Sequence, residues 1–207
     1  MWFGATAALV LTGIAIQIPV AANSTHGFFH GAFAALNVFA FFTVQSNLIV
    51  GATCLLLAVR LERASEVFDV FRLIGVVAIS VTGIVYHVAL AGLFDLDSWA
   101  LAADMILHTA VPILVVVGWL FYGPRGRTSR RVARYALLFP LGYMTFTVIR
   151  GAIVGFYPYP FANVHTLGYA RVAVNSVWIT LLFYGLTVGA DLLDRALGRL
   201  AVSLSGR

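Results

Sequence analysis

Lysine is absent from this 207-residue chain: all thirteen basic residues are arginine, and only eight residues are acidic. We read the lysine deficit as genome composition rather than chemistry. Charged residues make up 10% of the chain, against about 25% in soluble domains, and so few charges exclude a water-exposed surface. The single Cys54 excludes an internal disulfide. No internal repeat is visible, which argues against an inverted-repeat transporter, and no linker is long enough to separate two domains. What the chain has in abundance is apolar residues, 61% of the total at a mean hydropathy of +0.97.

A helical span needs about 20 apolar residues. Six such stretches occur, over 2–22, 38–59, 71–93, 100–122, 134–156 and 171–190, whereas barrel strands would alternate over about ten residues. The expected fold is therefore a single all-α domain, an integral membrane bundle of six helices. Arginine clusters at 60–72, at 125–134 and after the last span. By the positive-inside rule this predicts cytoplasmic termini and outward loops near 23–37, 94–99 and 157–170. Read by position, the net charge of +5 is a topology signal and not a nucleic-acid footprint. The segment PVAAN at the end of the first span resembles a cleavage region, but a basic n-region is missing, so retention of that span is expected. The tail DLLDRALGRLAVSLSGR spaces its leucines at helical intervals, as an extension of the sixth span or a surface helix.

Within this apolar background, FFTVQSNLIV (41–50) crowds Thr43, Gln45, Ser46 and Asn47 together. The expected topology sets Thr43 about 7 Å deep, and Asp104 and His108 about 6 and 12 Å deep, at 1.5 Å per residue. Tyr86, His87 and Arg150 fall near the outer ends of spans three and five, and Arg171 and Asn175 open span six. Polar groups thus share one layer, the outer half of the bilayer, while the inner half carries almost none. An ionisable group in hydrocarbon costs about 2.5–3.5 kcal/mol on insertion scales, so such groups face inward and pair. Thr43, Ser46 and Asn47 share a helical face, as do Asp104 with His108 and Arg171 with Asn175; Gln45 points elsewhere. Polar residues of this kind also glue transmembrane helices together, and that reading stands beside the functional one.

Three chemistries fit the layer. In a hydrolase, Thr43 is the nucleophile and His108 its general base. Asp104 orients the imidazole or instead pairs with Arg150 or Arg171, while Asn47 and Asn175 supply oxyanion donors. In a haem protein, His87 and His108 are axial ligands; His26 and His30 of HGFFH have a metal-compatible spacing if helical. In a non-enzymatic carrier or receptor, Arg150 and Arg171 hold a lipid-like anion. YPYPF (157–161) excludes a regular helix through its prolines and reads as a rigid cap over the cavity or an interfacial anchor.

FFTVQSNLIV, ILHTAVPILVVVGWLFYGPRG and YMTFTVIRGAIVGFYPYPFANV occur in this order. Together they resemble the androgen-induced and androgen-dependent TFPI-regulating proteins, and more closely their bacterial six-span relatives. The resemblance covers most of the chain. It implies an intramembrane threonine hydrolase of the bacterial cytoplasmic membrane, cleaving fatty acid esters of hydroxy fatty acids. The family's nucleophilic threonine falls on Thr43 in the FFT motif, and its essential histidine on His108 in LHT-x-x-P. On this reading no cofactor or metal is expected, and the partners are membrane lipids and an amphiphilic ester. Arg150 and Arg171 are candidate contacts for a free carboxylate on the substrate, since guanidinium suits that group, and Asn47, His87 and Asn175 are the further candidate substrate contacts.

Overall fold

A computed structural model describes residues 1–24, 31–63, 65–93, 95, 96 and 98–205, without the side chains of 201, 202, 204 and 205. His26 and His30 lie outside the described residues. Among those described, every regular element is helical, and six helices are long and apolar enough to cross a membrane. These are α1 (Trp2–Asn23), α2 (Phe42–Val59), α3 (Glu66–Leu90), α4 (Ser98–Phe121), α5 (Arg130–Val154) and α6 (Val164–Leu200). A short apolar helix, Gly31–Ala40, leads into α2.

Several bounds differ from the hydropathy reading, each for a local reason. Helices α3 and α5 begin several residues early because serine hydroxyls cap them. Ser65 accepts from the Phe68 amide at 3.3 Å and Ser129 from the Val132 amide at 3.2 Å, satisfying donors that the first turn leaves unpaired. Glu66 and Asp69 in the first turn of α3 also suit the helix dipole. The helix of α6 runs on through the charged tail as far as Ser205, with a kink at Gly168, whose φ is +71°. Helix α2 starts at Phe42, later than expected, because Phe41 is extended (φ −80°, ψ 136°) and breaks the chain between Ala40 and Phe42. Thr43 is therefore the second residue of its helix, not a position well inside one.

Helix α3 is the spine. Its Ile79 joins a cluster with Val10 of α1, Val50 of α2 and Leu107 of α4. Its Leu73, Val77 and Val81 join a second cluster with Val132 of α5 and Phe183 of α6. Close approach is local: a Cβ on Gly13 would sit 2.7 Å from Leu107 Cδ2, so α1 and α4 meet there only because glycine has no side chain. Trp2 Nε1 donates to the Leu114 carbonyl at 3.0 Å and ties the start of α1 to α4.

Trp2 also packs on Tyr122, and Gly198 lies beside Gly126. The start of α1, the loop after α4 and the tail of α6 therefore share one end of the bundle, the arginine-rich end. Contrary to the expectation of an almost apolar inner half, this end has a buried ionic network. Arg72 and Asp194 are 5% and 0% exposed. Asp194 Oδ2 accepts from the Arg127 and Thr128 amides at 2.8 and 3.0 Å and from the Thr128 hydroxyl at 2.9 Å. Arg127 pairs with Asp69 at 3.3 Å. Hydropathy missed the network because its members lie near helix ends, where sequence alone reads them as solvated. Asp194→Ala is expected to cost about 3–5 kcal/mol, since it strands buried cationic and amide partners. A thermal midpoint in detergent indistinguishable from wild type would contradict that role.

Candidate active site

At the opposite end, three backbone irregularities converge. The first is the break at Phe41. A phenylalanine cannot cap a helix, and two tyrosine hydroxyls from elsewhere take the task. Tyr143 of α5 accepts from the Phe42 amide at 3.1 Å and donates to the Ala40 carbonyl at 3.1 Å. Tyr159, from the loop after α5, accepts from the Thr43 amide at 3.2 Å. These bonds fix the start of α2 and with it the Thr43 side chain.

The other two irregularities are single π-helical turns, Tyr86–Leu90 in α3 and Ile106–Ala110 in α4. Such turns commonly re-aim side chains at functional sites. The α4 turn has a cause in the sequence. Pro112 has no N–H for the His108 carbonyl four residues back, and the ladder instead closes by five residues, Val111 N to Ile106 O. Gly83 permits α3 to pass this point, since a Cβ there would meet Pro112 Cβ at 3.2 Å and the His108 carbonyl at 3.5 Å.

The three irregularities bring together Thr43, His108 and Asp104. Thr43 Oγ1 lies 3.1 Å from His108 Nε2, and His108 Nδ1 lies 3.0 Å from Asp104 Oδ1. A carboxylate on Nδ1 holds the proton there and leaves Nε2 as the acceptor for the threonine hydroxyl. Asp104 is itself fixed by a short hydrogen bond that the Tyr86 hydroxyl donates to Oδ2. The Tyr86 ring stacks on His108, centroids 4.3 Å apart and 16° from parallel. Thr43, His108 and Asp104 thus form a continuous chain across two helices, α2 and α4, which Tyr86 extends to α3.

Tyr159 completes the surroundings of the hydroxyl, 3.3 Å from Thr43 Oγ1. Burial holds its phenol above the ordinary value of 10.0, so it stays a protonated donor at neutral pH. The YPYPF segment delivers it. Gly155 ends α5 with φ +74°, and the Tyr157 ring then lies so close to Gly151 that a Cβ there would fall 2.1 Å from Tyr157 Cε1. Tyr159 stacks on Phe161 and meets Phe41 edge-on.

The remaining sequence candidates take other places. Asn47, fully buried, donates to the carbonyls of Thr43 (2.8 Å) and Leu107 (3.2 Å). It clamps α2 to α4 and has no N–H left for an oxyanion. Asn175 donates to the Phe161 carbonyl at 2.8 Å and holds the capping loop. Ser46 bonds Thr82 at 3.0 Å, and Gln45 turns away to the Phe39 carbonyl at 3.0 Å. Arg150 donates to Asn37 Oδ1 at 2.7 Å and does not pair with Asp104, whose carboxylate faces His108 and Tyr86. Arg171 is exposed. His87 is exposed and reaches Thr109 Oγ1 at 3.1 Å. With Nε2 of His108 on Thr43 and Nδ1 on Asp104, the two histidines are not arranged as an axial pair. Among the described residues no cluster of His, Cys, Asp or Glu has metal-ligand geometry.

Beside the triad an apolar cavity opens between α3, α5 and α6, with about 580 Å³ between atoms, mouth included. Val81, Val85, Met144, Tyr143, Phe161 and Ile179 line it, and Thr43 lies on its wall. His108 does not. Sequence reading set Tyr86 in the polar layer without giving it a role, and missed Tyr143 and Tyr159; for Tyr159 the available signal was the pair of tyrosines in YPYPF. Comparison with family models, curated proteins and solved structures gives no match.

Proposed function

We propose that this membrane protein is a hydrolase of lipid-like carboxylic esters, working through an acyl-threonine intermediate on Thr43. The observation that carries the reading is the unbroken series Thr43 Oγ1, His108 Nε2, His108 Nδ1 and Asp104 Oδ1, each contact near 3 Å. A threonine hydroxyl is inert without a base to take its proton, and glue between helices needs no such ordered series. The resemblance to intramembrane threonine hydrolases, through the FFT and LHT-x-x-P motifs, points to the same two residues.

The steps balance within these groups. Thr43 Oγ attacks the ester carbonyl carbon as its proton passes to His108 Nε2, and the carbonyl π pair moves onto oxygen. Tyr159 is the donor beside Thr43 Oγ1, and the start of α2 adds the positive end of a helix dipole where the oxyanion forms. Collapse expels the alkoxide, which takes the proton from His108. Water, deprotonated by the same histidine, then attacks the acyl carbon, and the C–Oγ bond breaks as His108 returns the proton to Thr43 Oγ, freeing the acid.

Geometry also orients the substrate. The leaving oxygen must face His108 to be protonated, so the alcohol portion belongs on that partly exposed side. The acyl chain belongs in the apolar cavity, whose wall includes Thr43 but not His108.

A fluorophosphonate probe with an alkyl chain tests the reading. Labelling is expected on the peptide bearing Thr43, lost in Thr43→Ala and retained in Thr43→Ser. Undiminished labelling of Thr43→Ala would remove the threonine from the mechanism.

A further inference from the structure

Between α5 and α6, at the arginine-rich end and far from the triad, lies a second groove of about 600 Å³. Its rim carries Arg130, Arg134 and Arg195, and its walls continue with Leu137, Val188 and Leu192. Arg130 and Arg134 are four residues apart in the first turns of α5 and so share a helix face. We propose that this groove is a binding site for one anionic phospholipid, its phosphate between Arg130 and Arg134 and an acyl chain against Leu137 and Val188.

The charge count selects these two arginines. Arg195 is bonded to Asp191 at 2.6 Å, Arg131 to Glu66 at 2.8 Å and Arg127 to Asp69 at 3.3 Å. Arg125 caps α4 through the Trp119 and Leu120 carbonyls. Arg130 and Arg134 are exposed and, among the described residues, have no carboxylate partner. Two unneutralised guanidinium groups at a bilayer edge suit a phosphate, which each can hold through paired N–H donors. Basic pockets between spans select anionic headgroups by this means.

The occupant must be an amphiphile because the groove is one. A free phosphate would use the rim and leave the apolar walls without a partner. A zwitterionic lipid would fill the walls but bring its own cation to a rim already positive. Helices α5 and α6 are also the least buried of the six, at 22% and 17% of their most apolar windows. A lipid bridging them would brace two walls of the acyl cavity, which α5 and α6 share.

Native mass spectrometry of the whole protein, released from detergent with phosphatidylglycerol or phosphatidylcholine, tests the assignment. One phosphatidylglycerol is expected to stay bound at collision energies that strip phosphatidylcholine. Its retention should fall at least fivefold in R130Q/R134Q, which removes the headgroup contacts. A similar fall is expected in Val188→Trp, which fills the wall and keeps both arginines. Millimolar inorganic phosphate should not displace the lipid. Equal retention of the two lipids by wild type overturns the proposal whatever the variants do, as does undiminished retention in either variant. Displacement by phosphate would make this a simple anion site instead.

Discussion

His108→Ala is expected to lower the turnover of a long-chain ester by about 10⁴-fold or more, with KM nearly unchanged. Thr43→Ala should lose as much. The larger expectation is that the double variant is no worse than either single one. In the proposed mechanism the threonine hydroxyl and the imidazole 3.1 Å from it act as one proton-transfer unit, and removing half of such a unit removes its whole contribution. What survives in each variant is the binding of the acyl chain in the cavity and the polarisation of the carbonyl by Tyr159. Turnover measured for the three purified variants on one ester checks this. Losses that multiply, or a single variant within tenfold of wild type, would mean that the two residues do not act on the same bond. Thermal midpoints of the three variants, measured alongside, separate a loss of chemistry from a loss of fold.

The pairing of Thr43 with His108 shows what kind of information the sequence carried. Six apolar stretches were legible because lipid imposes a length and a polarity on every span, and the structure has six helices of that kind. The candidate residues were legible because polar side chains are costly in such a setting. Thr43, Asp104 and His108 meet, Ser46 and Asn47 lie buried on the face they share with Thr43, and Gln45 turns away, as their helical spacing required. Less legible was the backbone that aims them. Depth arithmetic assumed an unbroken helix through 38–59, but Phe41 is extended and Thr43 opens the helix. Nothing in FAFF announces a break, because the groups that stabilise it, the Tyr143 and Tyr159 hydroxyls, are about a hundred residues away in sequence.

Polar residues that looked alike in composition were also separated by packing. Asn47 and Asn175 both read as oxyanion donors, yet each spends its amide on backbone carbonyls. In a bundle without water, a carbonyl freed by a helix break or a loop competes for every nearby donor. Arg150 and Arg171 read as a joint anion site, yet Arg150 is tied to Asn37 and Arg171 lies exposed. Pro112 is the case in which a local signal was present and had a definite consequence. Its missing N–H falls opposite the His108 carbonyl, and the π turn that results sets the catalytic candidate's direction.

Asp104→Asn is expected to reduce turnover by about 10³–10⁴-fold, approaching the loss of the histidine itself. The carboxylate takes two donors, one on each oxygen: His108 Nδ1–H and the Tyr86 hydroxyl. An amide has a single acceptor oxygen, and whichever donor it serves, its NH₂ then faces the other. If the NH₂ faces His108, Nδ1 becomes the acceptor, the proton moves to Nε2, and the imidazole can no longer take the proton of Thr43. If the oxygen faces His108 instead, the tautomer survives but the imidazolium formed during attack loses its counter-charge. Either arrangement therefore slows the step in which His108 is charged, and neither disturbs the apolar cavity, so KM should hold. Tyr86→Phe provides the contrast. It removes one donor to Asp104 but leaves the carboxylate on His108 and the ring stacked on the imidazole, so about a tenfold loss is expected, for a contact worth about 1.5 kcal/mol. Steady-state kcat and KM for the two variants measure the difference, with thermal midpoints alongside. Equal losses in the two variants would make Asp104 a mere anchor for Tyr86, and a rate near wild type in Asp104→Asn would leave Thr43 and His108 without a third member.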